Sequence, residues 1–218
     1  MEDELKPQKT FLTLPEGKQA RLLETATEEF AAQGYQKASI NRIVEKLGIA
    51  KGSIYQYFRN KEHLFLYVFS YGIRLAKGAL KPIKSTEGTI FEKLKASLKA
   101  GIRFIQTHPR IYHIYLKILF EDKVPGRERL IKAIRFYSRD YLLPLLQEAQ
   151  AKGEIRPDID LEIAAFMLDA IMERFLQAHV LPYLDAAGIY QADMIQLDRL
   201  LDAWIDILKR GLGNEKTD

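Results

Sequence analysis

Residues 39–64 read SINRIVEKLGIAKGSIYQYFRNKEHL, and this stretch decides the fold. Ser39 stands where a hydroxyl N-cap opens a short helix with Ile40, Ile43, Val44 and Leu47 on one side. Gly48 supplies the left-handed residue that ends it. Ile49 plugs the turn, and Ala50 to Phe58 forms a second short helix. Two helices joined this way make a helix-turn-helix, which reads DNA with the first turns of its second helix in the major groove. The residue types suit that task. Lys51 reaches phosphate or guanine, Gly52 lets backbone approach a base edge, Ser53 bonds either, and Gln56 pairs with adenine. Tyr55 and Tyr57 carry hydroxyls on rigid rings suited to phosphate. Ser39 and Lys61 sit at helix N-termini, where amides and the helix dipole attract phosphate.

Upstream, Thr13, Pro15 and Glu16 read as a helix start, with Leu22, Leu23, Ala26 and Phe30 recurring at helical spacing up to Gly34. Residues 1–12 read as a flexible arm. Asn60 caps a fourth helix from Lys61 to about Leu80. Downstream every segment is helical in period and none alternates as a strand does. Thr89 with Glu92 opens a helix, Pro109 another, Arg127–Lys152 is long, Leu161–Leu184 is strongly apolar, and Asp193 with Gln196 opens the last. The expected fold is all-α: a three-helix head over residues 13–62 and a helical bundle over 63–218.

Charge is unevenly placed. Residues 36–61 carry six cations (Lys37, Arg42, Lys46, Lys51, Arg59, Lys61) and one acid, Glu45, whereas residues 154–218 are net acidic. The two ends therefore suit different partners. With no cysteine, disulfides and thiolate metal sites are excluded. His113 and His179 lack metal-ligand spacing. No apolar run approaches the roughly 20 residues that span a bilayer, and MEDELKPQKT has no apolar signal-peptide segment, so a cytoplasmic location is expected. No phosphate loop, HExxH, G-x-S-x-G or cysteine nucleophile is present. Neither enzymatic activity, a cofactor nor a metal is expected.

The run LGIAKGSIYQYFRNKEHLF, with Phe30, Gly34 and Ser39 at their spacing, resembles the DNA-binding signature of the tetracycline-repressor (TetR) family over about residues 16–66. The resemblance implies that Ser39, Tyr55, Tyr57 and Lys61 contact phosphates and that Asn41, Lys51, Gly52, Ser53 and Gln56 face base edges. Ala50 departs from the family's usual Ser or Thr cap, at a local cost of about 1 kcal/mol. The resemblance further implies a dimerisation and effector-binding body, and hence a ligand-responsive repressor. Its expected partners are double-stranded operator DNA, a second copy of the chain and a small hydrophobic or aromatic effector. Leu197, Leu201, Trp204 and Leu208 form an apolar stripe expected to pair, together with the 161–184 helix, across a two-fold axis as a four-helix bundle, the alternative being that the stripe packs within the chain. Phe104, Tyr112, Tyr115, Tyr137, Tyr141, Phe166 and Phe175 are candidate effector contacts, although an aromatic stripe at helical spacing is more often core and each alone reads first as core. The rival reading is a ligand-independent DNA-binding or interaction protein on the same fold.

Overall fold

The computed structural model describes residues 6–213, apart from the side chains of Phe136 and Tyr137. Ten α-helices account for most of it: α1 (Lys9–Leu12), α2 (Glu16–Lys37), α3 (Ile40–Leu47), α4 (Lys51–Tyr57), α5 (Lys61–Lys84), α6 (Ile90–Thr107), α7 (Pro109–Phe120), α8 (Arg127–Ala151), α9 (Leu161–Val180) and α10 (Met194–Leu212). Pro182–Leu184 adds one 3-10 turn. Among the described residues there is no strand, only an isolated bridge between Ile155 and Gly213. The chain is all-α, as its periodicity predicts.

Two compact units divide the chain. The first holds residues 6–77 and Ile105–Ile131; the second holds Gly78–Phe104 and residues 132–213. The expected division at residue 62 thus differs from the observed packing, which places most of α5 and all of α7 in the first unit.

That unit is built on buried Leu22, Leu23, Ala26 and Phe30 from α2, Ile43 and Val44 from α3, Ile54, Phe58, and Leu64, Phe65 and Val68 from α5. Gly48 ends α3 at φ 69°, and the Ile49 N–H returns to the Val44 carbonyl at 3.1 Å, closing the turn as a left-handed cap. Asn60 Oδ1 accepts the His63 N–H at 2.8 Å and starts α5. Helix α7 lies along α2. It buries Tyr112, Ile114, Leu116 and Ile118, and Arg110 reaches Glu28 at 3.4 Å and Glu24 at 3.9 Å. Ile111 Cγ2 would lie 2.5 Å from a Cβ on Gly72, so that glycine exists for close packing of α5 on α7.

Two sequence expectations fail at the start of this unit. Thr13 does not cap α2; its hydroxyl bonds back to the Thr10 carbonyl at 3.1 Å and closes α1. Residues 6–12 are not a loose arm either, because Phe11 is fully buried. The start of the expected arm, residues 1–5, lies outside the described residues.

The second unit packs α6, α8, α9 and α10. Leu94, Leu142, Leu146, Leu168, Ile205 and Leu208 share one cluster, and Leu98, Ile102, Phe175, Leu197 and Leu201 another. Three of its helices, α6, α9 and α10, have side-chain N-caps. Asp160 accepts two amides of α9, Asp193 and Gln196 form a reciprocal box on α10, and Glu92 accepts the Thr89 N–H at 2.7 Å.

Candidate nucleic-acid interface

The proposed DNA-reading residues lie on the helix-turn-helix of the first unit, apart from Lys61 at the start of α5. Asn41, Lys51, Gly52, Tyr55 and Gln56 are exposed, and Ser39, Ser53, Tyr57 and Lys61 are half-buried. Neither α3 nor α4 has a side-chain cap: Ser39 and Ala50 occupy the cap positions and make no capping bond. The first amides of a helix have no intrahelical acceptor. As at α2 and α7, no side chain occupies them, so they are donors available to an anion.

Gly52 is the most informative of these residues. Its φ is not in the left-handed region, and a Cβ placed on it would meet nothing within 4 Å. Glycine inside a helix costs about 1 kcal/mol relative to alanine. Gly72 repays that cost by close packing, but nothing inside the protein explains Gly52. A bare helix surface next to exposed Lys51 suits close approach by something outside the chain.

The electrostatics are more selective than the sequence suggests. Arg42, although exposed, is engaged within the chain: it donates to Glu29 at 2.6–2.9 Å and to the Lys37 carbonyl at 2.7 Å. Glu29, almost fully buried, also accepts the Ser39 N–H at 2.8 Å. Burial pushes its carboxyl up, but bonds from Arg42 and from the Ser39 amide outweigh that and hold it below the usual carboxylate value. Lys46 pairs with Glu28 at 3.4 Å. Lys61 is the clearest departure from its expected role. Its ammonium donates to the carbonyls of Tyr35 (2.9 Å), Gln36 and Ala38 (3.2 Å each) and sits over the Tyr35 ring. All three donors are engaged, so Lys61 ties the end of α2 to the start of α5 and is not presented to phosphate. Lys37, Lys51 and Arg59 are exposed and make no ion pair among the described residues.

The apolar stripe of α10 is also corrected. Leu197 and Leu201 are 0% exposed and Leu208 is buried, while Trp204 packs against both clusters. The three leucines fill the chain's own core, and Trp204 is left half-buried beside them. The uncovered apolar face belongs to α9: Ile163, Phe166, Met167 and Ile171 are exposed, at the spacing of one helix side. The candidate effector contacts separate too. Phe166, 71% exposed, faces solvent, and Tyr141 and Phe175 are buried in the two core clusters of the second unit. The Tyr141 hydroxyl is matched with Ser97 Oγ at 2.8 Å. Tyr112 and Tyr115 lie ring to ring at 5.7 Å on α7, and Phe104 is half-buried on α6. The side chain of Tyr137 is outside the described residues.

An uncapped, glycine-bearing recognition helix behind a tight left-handed turn defines the DNA-binding helix-turn-helix class. Family comparison makes this specific. The chain belongs to the TetR family of bacterial regulatory proteins, whose DNA-binding model matches residues 22–68 and whose tetracyclin repressor-like C-terminal domain matches residues 88–213. It is a DNA-binding transcriptional regulator. The probable acrEF/envCD operon repressor of Escherichia coli K12 is 26% identical over 161 residues, covering 72% of this chain and 73% of that protein. A TetR family regulator from Chloroflexus aurantiacus J-10-FL superposes with a TM-score of 0.71 at 34% identity, over 96% of this chain and 100% of that one. Bacillus subtilis FadR, solved in complex with stearoyl-CoA, shares the fold at a TM-score of 0.69 and 20% identity, over 87% and 96% of the two chains. Among the described residues no helix is long and apolar enough to cross a membrane.

Proposed function

We propose that this regulator is a cytoplasmic repressor that binds a pseudo-palindromic operator as a two-fold dimer and is released by a small hydrophobic effector. The observation that carries the reading is the exposed start of α4, where Lys51, Gly52 and Ser53 leave room for a base edge. Asn41 and Gln56 complete the base-facing set, with Ser39, Tyr55 and Tyr57 on phosphates. A two-fold dimer spaces its recognition helices at about one DNA turn, roughly 34 Å. Dimerisation is assigned to the exposed face of α9 with Ile207 of α10, since a contiguous apolar face is a liability in a monomer.

Support for an effector comes from relatives. The FadR structure holds an acyl-CoA, and another neighbour is the ketosteroid regulator KstR2 of Mycobacterium tuberculosis. In this chain Tyr112 and Tyr115, paired ring to ring on α7, remain candidate contacts. Because α7 packs on α2 through Arg110 and its buried face, a ligand that displaces α7 acts on the DNA-binding head directly. A differential affinity worth about 1–3 kcal/mol would suffice to couple the two.

The test is binding of the purified chain to DNA upstream of its own gene and to a selected duplex library, at two salt concentrations. A panel of long-chain acyl-CoAs, fatty acids and steroids is added in turn. Salt-sensitive, sequence-selective binding that one class reverses is the expected result. Selective binding insensitive to every compound that binds the protein would instead identify a ligand-independent regulator.

A further inference from the structure

The recognition helix α4 is short and poorly supported by its own ends. It has seven residues, no capping side chain, no acid in its first turn and no base in its last. Helices of two turns do not hold by themselves in water. The last carbonyls of any helix lack intrahelical donors, and here only Ile54 is served locally, by the Phe58 N–H at 2.8 Å.

The last two acceptors of α4, the carbonyls of Gln56 and Tyr57, are served from outside the helix-turn-helix. The Thr10 hydroxyl donates to the Gln56 carbonyl, and the Gln8 N–H donates to the Tyr57 carbonyl at 3.0 Å. Between them Phe11 is fully buried, with its ring centroid 5.0 Å from that of Phe58, 5.6 Å from Tyr67 and 6.2 Å from Tyr57. The segment is itself fastened to α2: Gln19 Nε2 donates to the Leu14 carbonyl at 2.8 Å and to the Leu12 carbonyl at 3.3 Å. Residues 6–12 precede the span 22–68 matched by the family's DNA-binding model, so this support is an addition to that motif.

We infer that residues 6–12 are a positioning element of the DNA reader, in which Thr10, Gln8 and Phe11 hold the C-terminal end of α4 in its docking orientation. The inference rests on α4 being the recognition helix. The segment acts through α4, so its loss lowers discrimination between sequences more than it lowers general attraction to DNA, which depends on charge.

Three variants of the full chain test it: Thr10→Val, Thr10→Ser and Phe11→Ala. The first readout needs no DNA. Amide hydrogen exchange of residues 54–58 is expected to be about three- to ten-fold faster in Thr10→Val, the scale of one lost hydrogen bond, and to return toward the parent rate in Thr10→Ser. The second readout is affinity for a duplex selected by the parent from a random library, against affinity for a scrambled duplex. Thr10→Val should lose about three- to ten-fold on the selected duplex and little on the scrambled one, with Thr10→Ser restoring the ratio. Unchanged exchange in α4, or equal loss on both duplexes, would overturn the inference. If the parent selects no sequence, α4 is not a recognition helix and the function proposed above fails, while the exchange readout still decides whether the segment pins α4. Should Phe11→Ala not fold, the two Thr10 variants carry the test alone.

Discussion

Replacing Gly52 by alanine separates folding from DNA binding, and the structure sets the sign of each effect. The added methyl meets no atom within 4 Å, and the backbone there is not left-handed. The free protein should therefore accept it without strain. Alanine is the better helix former by up to about 1 kcal/mol in a helix interior, and less at the second position of α4. A gain of about 0.5 kcal/mol corresponds to a rise of about 1–2 °C in Tm for a chain of this size. On DNA the methyl occupies the gap between α4 and a base edge. Forcing a methylene-sized group into a packed contact costs about 1–3 kcal/mol, or about five- to 150-fold in affinity per half-site. Thermal melting and fluorescence anisotropy on the selected duplex measure the two effects. A lower Tm would mean that Gly52 has an internal role, and affinity within two-fold of the parent would mean that DNA does not approach the start of α4. Either result refutes the reasoning.

Gly72→Ala should behave in the opposite way, because its methyl collides with Ile111 Cγ2; a loss of about 1–3 kcal/mol in denaturant unfolding is expected, and an unchanged midpoint would show that α5 and α7 are not in close contact there. Phe166→Asp should shift the chain toward monomer in sedimentation experiments. Burial of each Phe is worth about 1.5–3 kcal/mol, and persistence of the same dimer at micromolar concentration would remove α9 from the interface. Glu29→Gln should lower stability at neutral pH. The Glu29 carboxyl lies below its ordinary value of 4.5 in the folded state, so its contribution is present above that pH and is lost as pH falls through the folded value. The gap between parent and variant should therefore narrow below about pH 4.5; a gap constant from pH 7 to pH 3 would contradict the assignment.

Much of the candidate site was legible in the sequence because its signals are local. Gly48 between two apolar-periodic stretches, Asn60 ahead of α5, and the Thr89–Glu92 and Asp193–Gln196 boxes each act within three or four residues. The structure realises each of them. The uncovered face of α9 was also half-visible, since Leu161–Leu184 reads as apolar on more sides than one core needs. Lys61 was less accessible. Its position at a helix start is equally suited to phosphate and to carbonyls, and its partners Tyr35, Gln36 and Ala38 lie more than twenty residues away.

The sequence by itself determined the long helices, several of their capped starts and the helix-turn-helix, because hydrophobic period and capping are short-range. Only the tertiary structure decided what covers each apolar stripe. Leu197, Leu201, Trp204 and Leu208 look alike whether they meet α6 and α9 of the same chain or a second copy, since burial of apolar area is non-directional and the pattern records a face without naming its partner. The same holds for Phe11, one aromatic in an otherwise polar start. Its burial against Phe58 and Tyr67 depends on contacts some fifty residues apart, and with them the segment that looked loose became part of the head.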